Sequence, residues 1–452
     1  MKQYADLKEL EEKARDVLQM ARDKGADTAE CQIMRRRDFE VEVRNGEIEN
    51  LSEAEPFEMS LTVSQDYRRA SVSTCDLTPD SIRGIVDQAM VLSKYTDRDT
   101  FYTLPKPEQL ATEFKDLDLF DAGLLDMPVT EKIELARELE NHLLAVDERL
   151  KSDGASFSST ISAAVVANSA GFCKAEQRTL LGMGVSGFAD DQVKEGDLNV
   201  GRKQSGSWGS QRRHRADLRG TKETAQRAAN NVLRKIGARK PQTGTFPCYF
   251  EPTVARSIWS NLLAAMTGGA VYRNESFLID QLEQQVCSDI VTITEDPFIP
   301  RGQSSRNYDR EGVAKKAAKL IEKGRLNTWL LGSYSANKLG KTTTGHAGGT
   351  ANLLIEPGPF DEAGLLKEMG TGIWVISLLG QGVNISTGDF SRAALGLWVE
   401  NGEVQYPVME FTLNSNLKDM LKNISHMGNN VMHDWSVQTP GFIIGNMNVS
   451  GL

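Results

Sequence analysis

Glycine is unevenly spread along this chain. Thirteen of its 39 glycines fall in the 63 residues from Gly340 to Gly402. Glycine is costly inside a helix and favoured where the backbone must turn or pass close to another backbone. The segment therefore reads as tight turns and bulges in a β-rich domain, or as a backbone-lined cleft for an extended ligand. Two uncharged runs of about 20 residues, Gly154–Cys173 and Met369–Gly388, point the same way. Both carry too many Ser, Thr, Gly or Asn residues for a membrane span and read as sheet.

Helical periodicity is confined to shorter stretches. In residues 5–24, Leu7, Leu10, Ala14, Val17, Leu18 and Ala21 share one face, and Gly25 ends the helix. Strands follow from Thr28 to Cys75, with Asn45-Gly46 as a two-residue hairpin signal. Thr78-Pro79 opens a helix to about Lys94. Residues 1–103 are thus predicted to form a small α+β domain, and 104–127, with Pro105 and Pro107, a linker. Residues 128–238 read as a mixed middle domain: a helix to about Leu150, hairpins turning at Asn168–Gly171, and a helix from Thr221. Residues 245–452 read as a β-rich C-terminal domain with a helix at Pro252–Met266. The predicted class is α+β. A second Asn-Gly hairpin at Asn401-Gly402 echoes the first, as two turns of one type would without any duplication.

Charge narrows the function. Lys plus Arg is 52 and Asp plus Glu is 62, a net charge of −10, which argues against a generic nucleic-acid binder. The basic run Arg212-Arg213-His214-Arg215 reads as a solvated strand or loop edge. Five scattered cysteines suggest inert buried thiols in a reducing compartment, and the absence of an apolar leader makes a cytoplasmic protein the expectation.

Most catalytic signatures fail on spacing. No His-Glu-x-x-His occurs, and no cysteine pair has knuckle spacing, so a self-sufficient zinc site is not expected. Gly182–Gly187 matches G-x-G-x-x-G but lacks a helix start and the acidic residue about 20 positions on. Leu339-Gly340-Lys341-Thr342 lacks the first P-loop glycine, since position 335 is Ser335. No Gly-x-Ser-x-Gly elbow is present. The polar, glycine-rich loops 345–352, 380–384 and 387–392 remain. Their free backbone groups suit an added peptide strand, and His346 lies among their glycines.

These loops resemble a known family. Ser333–Gly340, Thr344–Gly349, Lys367–Gly372, Gly380–Asn384, Thr387–Arg392, Trp398–Val408 and Asn416–Met420 look like the TldD/TldE (PmbA) family, the "modulator of DNA gyrase" family. The resemblance covers nearly the whole chain. It implies dimers enclosing a cavity for unfolded peptides. It also implies a catalytic TldD branch with His-Glu-x-x-x-His on a helix and a C-terminal cysteine as zinc ligands. The corresponding helix here, Pro252–Met266, contains neither histidine nor glutamate, and no cysteine follows Cys287. The resemblance thus places the chain on the TldE/PmbA side.

The expected function is a subunit of a heterodimeric zinc peptidase that lacks its own zinc site and holds an extended peptide. No catalytic or metal-binding residue and no bound cofactor is expected here; zinc belongs to a TldD-like partner. The expected substrate contacts are His346, Gly348, Gly349, Asn352, Asn384, Asp389 and Arg392, with Arg392 alternatively a structural partner of Asp389. The runner-up is a non-enzymatic, peptide-binding or regulatory homodimer, including a gyrase-modulator role. A weaker third reading is a homodimeric enzyme using His346 with a shared carboxylate. A membrane or direct nucleic-acid partner is not expected.

Overall fold

The computed structural model describes residues 3–195 and 198–452. The fold is α+β. Its first element, α1 (Leu7–Asp23), starts at Asp6, whose carboxylate accepts from the Lys8 and Glu9 amides, satisfying two of the free N–H groups of a helix start. Seven antiparallel strands follow: β1 (Thr28–Arg44), β2 (Glu47–Ala54), β3 (Phe57–Gln65), β4 (Arg68–Thr74), β5 (Leu150–Asn168), β6 (Cys173–Glu195) and β7 (Leu198–Arg212). Their order is β4-β3-β1-β5-β6-β7, with β2 also on β1. Asn45 and Gly46 take φ of 53° and 77° at the β1–β2 turn, the left-handed pair such a hairpin requires.

This one sheet runs through both the 1–103 and the 128–238 segments, because β1 pairs with β5 from Glu30↔Asn168 to Val43↔Ala155. Four helices cover one of its faces: α1, α2 (Pro79–Ser93), α3 (Val129–Leu144) and α4 (Thr221–Leu233). Alternation along β5 sends Ala155, Phe157, Ile161, Ala163 and Val165 into that layer. It leaves Ser156, Ser158, Thr160 and Ser162 half-buried on the opposite face. Residues 104–127 cross the molecule as a strap. Leu110, Ala111, Leu117 and Leu124 are buried, and the Ala111 amide donates to Gly312 O at 2.9 Å.

The helices sit close to β6 and β7. A Cβ on Gly206 would lie 2.6 Å from the Asn231 carbonyl carbon in α4. Gly206→Ala is therefore expected to push α4 outward and cost about 1–2 kcal/mol, read as a lower unfolding midpoint; an unchanged midpoint would refute the contact. The Gly182–Gly187 segment lies within β6.

Past residue 243 the chain forms two further sheets. One has the order β11-β10-β9-β12-β17, from β9 (Ile293–Asp296), β10 (Ala318–Glu322), β11 (Arg325–Leu326), β12 (Asn352–Ile355) and β17 (Val437–Gln438). The other has the order β15-β14-β13-β8-β18-β16, from β8 (Gly244–Phe250), β13 (Gly372–Leu379), β14 (Asp389–Glu400), β15 (Glu403–Asn416), β16 (Ile424–Met427) and β18 (Phe442–Ser450). Because β15 also pairs with β18, five of these strands close into a barrel. Asn401 and Gly402, at φ 54° and 78°, form its β14–β15 turn. The C-terminal core gathers Phe250, Val375, Phe390, Leu413 and Phe442 with α5 (Pro252–Met266).

Two expectations are corrected by this packing. The basic run at 212–215 is largely internal rather than a solvated edge, with only Arg215 exposed. Arg213 and His214 are buried, Arg213 Nη1 donates to Thr179 O at 2.9 Å, and Arg212 Nη2 donates to Asp434 Oδ1 at 2.8 Å. The end of β7 runs beneath the 303 and 434 loops, which a linear reading cannot place. Among the cysteines, burial pushes the Cys31 and Cys287 thiols up to about 12, but Cys75 is exposed. Among the described residues, no helix is long and apolar enough to cross a membrane.

Candidate functional site

Helix α5 has two faces. Pro252 occupies its first turn, where a missing N–H costs nothing. Val254, Ala255, Ile258, Trp259, Leu262, Ala265 and Met266 point into the C-terminal core. Thr253, Arg256, Ser257, Ser260 and Asn261 recur at the same helical spacing on the opposite side and line open space.

That space is a cleft of about 820 Å³ between the first sheet and the C-terminal region. Its wall on the first sheet is paved with small residues, Ser156, Ser158, Gly182, Ser186, Ser205 and Ser207. A further lobe of about 490 Å³ adjoins it, bounded by Ser260, Asn261 and the loop Gly380–Val383. Arg256, Ser257, Arg392 and Trp435 line both parts.

Most charges around the cleft are already paired. Glu251 accepts from Arg234 Nη1 and Nη2 at 2.8 and 2.9 Å. Asp434, beside Trp435, accepts from Arg212 at 2.8 Å and from Arg219 at 2.6 and 2.9 Å. Lys235 Nζ donates to Ser205 O at 2.7 Å. Burial, followed by the charge of Arg234, pushes this ammonium down to about 8.

The expected contact residues fall into two groups. His346 and Asn352 are buried and turned inward. His346 Nε2 bonds Glu295 Oε2 at 2.7 Å and Nδ1 bonds Thr344 Oγ1 at 2.9 Å. Asn352 Nδ2 donates to Ser305 Oγ at 2.7 Å and Asp296 O at 2.9 Å. Gly348 and Gly349, at φ 92° and 95°, make the turn between them. None of these four lines the cleft.

The second group surrounds the loop 380–389. Asn384 N donates to Asp389 O at 2.9 Å, and Thr387 Oγ1 donates to Asp389 Oδ2 at 2.6 Å, fastening the loop base. Arg392 alone of the seven faces the cleft, and Asp389 is not its ion-pair partner. Its Nη2 donates to Leu378 O at 3.1 Å, while its buried Nε has no partner. Gly382 is obligatory here, since a Cβ would lie 1.7 Å from Ser391 O. Sequence reasoning missed Arg256, Ser257, Asn261 and Trp435. The polar stripe at 253, 256, 257, 260 and 261 was the available signal for the first three.

The comparisons agree with this architecture. The PmbA/TldA metallopeptidase domain 1 matches residues 29–93, the central domain 123–236 and the C-terminal domain 243–451. Metalloprotease PmbA of Escherichia coli O157:H7 is 36% identical over 451 residues, covering 99% of this chain and 97% of the relative. The chain belongs to the PmbA/TldD metallopeptidase family. A PmbA homolog of Haemophilus influenzae is 35% identical over 456 residues, 99% of this chain and 97% of its own. Among solved structures, a Bacteroides thetaiotaomicron protein named for modulation of DNA gyrase superposes with TM-score 0.91 at 27% identity. It covers 98% of this chain and 99% of its own. TldE from Thermococcus kodakarensis shares the fold, with TM-score 0.83 at 20% identity over 97% of this chain and 100% of that one.

The family names imply a metal. The donors that α5 turns to the cleft do not fit one: a guanidinium, hydroxyls and an amide stand there instead of imidazole, thiolate or carboxylate ligands. Among the described residues, no group of three or more His, Cys, Asp or Glu is placed to hold an ion.

Proposed function

We propose that this PmbA/TldD-family chain is the channel-forming subunit of a heterodimeric zinc peptidase that cleaves unfolded peptides. Zinc and the hydrolytic step belong to a TldD-like partner. This chain contributes a cleft that holds the peptide extended, which lowers the entropic cost of presenting its scissile bond. The observation that carries the reading is the cleft face of α5. On the helix that the resemblance sets against the ligand-bearing helix of the catalytic branch, this chain turns Arg256, Ser257 and Asn261 to the cleft. The TldE neighbour of the same fold supports it. Cytoplasmic location goes with this reading, and isolated chain is proposed to form homodimers as well.

The test is metal content and peptide cleavage with and without a co-expressed TldD-like chain. The expected result is stoichiometric zinc and cleavage only in the copurified pair. Zinc and turnover in rigorously partner-free protein would overturn the reading. The gyrase-related name of the Bacteroides neighbour favours a second reading, a peptide-holding or regulatory homodimer. In that case no TldD-like chain would copurify.

A further inference from the structure

Three arginines line the cleft, and their neutralisation differs. Arg234 is held in a two-point ion pair by Glu251. Arg256 has no hydrogen-bond acceptor and no carboxylate among the described residues; its guanidinium lies 4.1 Å from the centroid of the Trp435 ring. Arg392 spends one N–H on the Leu378 carbonyl and leaves its buried Nε unmet. The lobe bounded by Gly380–Val383 contains both of these arginines and no acidic residue. This occurs in a chain whose net charge is −10.

Such an arrangement is unfavourable without a ligand. Burial lowers both guanidinium groups below the ordinary arginine range, and no neighbouring charge offsets it. Both guanidinium groups are half-buried with no carboxylate beside them, a cost that an anionic ligand would offset. The acids in and beside the cleft are already committed: Glu251 to Arg234, Asp153 to Arg44, and Asp434 to Arg212 and Arg219. Trp435 keeps Arg256 in place through its ring face, a contact that leaves the N–H edges of the guanidinium free. Ser257 and Asn261 stand on the same helix face, and the 380–383 loop lines the same lobe.

We propose that Arg256 and Arg392 make this lobe a carboxylate-binding subsite, so that the cleft selects extended peptides carrying a negative group there. This rests on the peptide-holding reading above and adds the chemical class of substrate. A carboxylate fits because planar guanidinium N–H groups donate to its two oxygens, and a charge-assisted bond in a partly desolvated lobe outweighs a neutral one. The carboxylate comes either from the peptide C-terminus or from an Asp or Glu side chain.

The experiment uses three fluorescent ten-residue peptides built on one Gly/Ser/Ala sequence: the free acid, its C-terminal amide, and the amide with one central Glu. Binding is measured by anisotropy on the full chain and on its copurified complex, for wild type, Arg256→Gln and Arg392→Gln. We expect the free acid to bind about tenfold more tightly than the amide if the C-terminus is read, or the Glu amide to do so if a side chain is read. Either preference, read as the ratio of the affinity for the acidic peptide to that for the plain amide, should fall to parity in both variants. Arg256→Gln breaks no hydrogen bond, so it carries the test if Arg392→Gln fails to fold. Equal binding of the three peptides, or a preference that survives both variants, overturns the subsite while leaving the peptide channel standing. Failure of every peptide to bind overturns the peptide-holding reading and this inference with it.

Discussion

Glu295→Gln is expected to lower stability by about 3–5 kcal/mol. Glu295 lies on β9 and is fully buried. Its Oε1 accepts from Lys315 Nζ at 2.8 Å and its Oε2 bonds His346 Nε2 at 2.7 Å, with all three side chains at most 4% exposed. Glutamine keeps the shape and opens no cavity, but removes the charge. Lys315 is then left buried with only the Gly345 carbonyl as a partner, 2.9 Å away. Denaturant unfolding measures the loss, and a change below about 1 kcal/mol would show that the network does not hold the C-terminal core.

The same group sets a pH dependence. Burial opposes its ionisation, yet the hydrogen bond and charge of His346, with the charge of Lys315, hold the carboxyl at about 2, below the ordinary 4.5. A carboxyl depressed in the fold contributes stability that is present above its unfolded value and fades as pH falls toward the folded one. The gap between wild type and Glu295→Gln should therefore be widest above pH 4.5 and narrow from there toward about 2.

Asp434→Asn is expected to cost about 2–3 kcal/mol, less because its partners reach solvent. Asp434 is 1% exposed and bridges Arg212 and Arg219, whose side chains are 17% and 24% exposed. It ties the loop before β17 to the end of β7. The adjacent Trp435 stacks edge-to-face with Trp208 at 5.6 Å and lies beneath Arg256. The variant should therefore also change tryptophan fluorescence and weaken peptide binding by the cleft. Unaltered fluorescence in a destabilised variant would separate the ion pairs from the position of Trp435.

Local signals in this chain were read well because they act over a few residues. Helix α5 was predicted at Pro252–Met266 and occurs there, since proline at its start and an apolar stripe leave little choice. The Asn45-Gly46 and Asn401-Gly402 turns follow from the left-handed backbone that such residues tolerate. Non-local facts were less legible. Residues 104–127, opening with Pro105 and Pro107 and continuing as an acidic stretch, read as a linker, yet β1 and β5 pair across that gap in one sheet. His346 drew attention as a histidine between glycines, but Glu295, 51 residues earlier, holds it inward.

By itself the sequence determined the α+β class, the family and the absence of histidine, cysteine and acid from α5. Those depend on residue identity and short-range backbone preference. Only the tertiary structure decided which polar groups are neutralised and which face a cleft. Arg212, Arg234, Arg256 and Arg392 are alike as letters. Two meet carboxylates distant in sequence or across a turn of chain, and two meet none. Electrostatic pairing depends on separation in space and on the water excluded around it, and neither quantity is written along the chain.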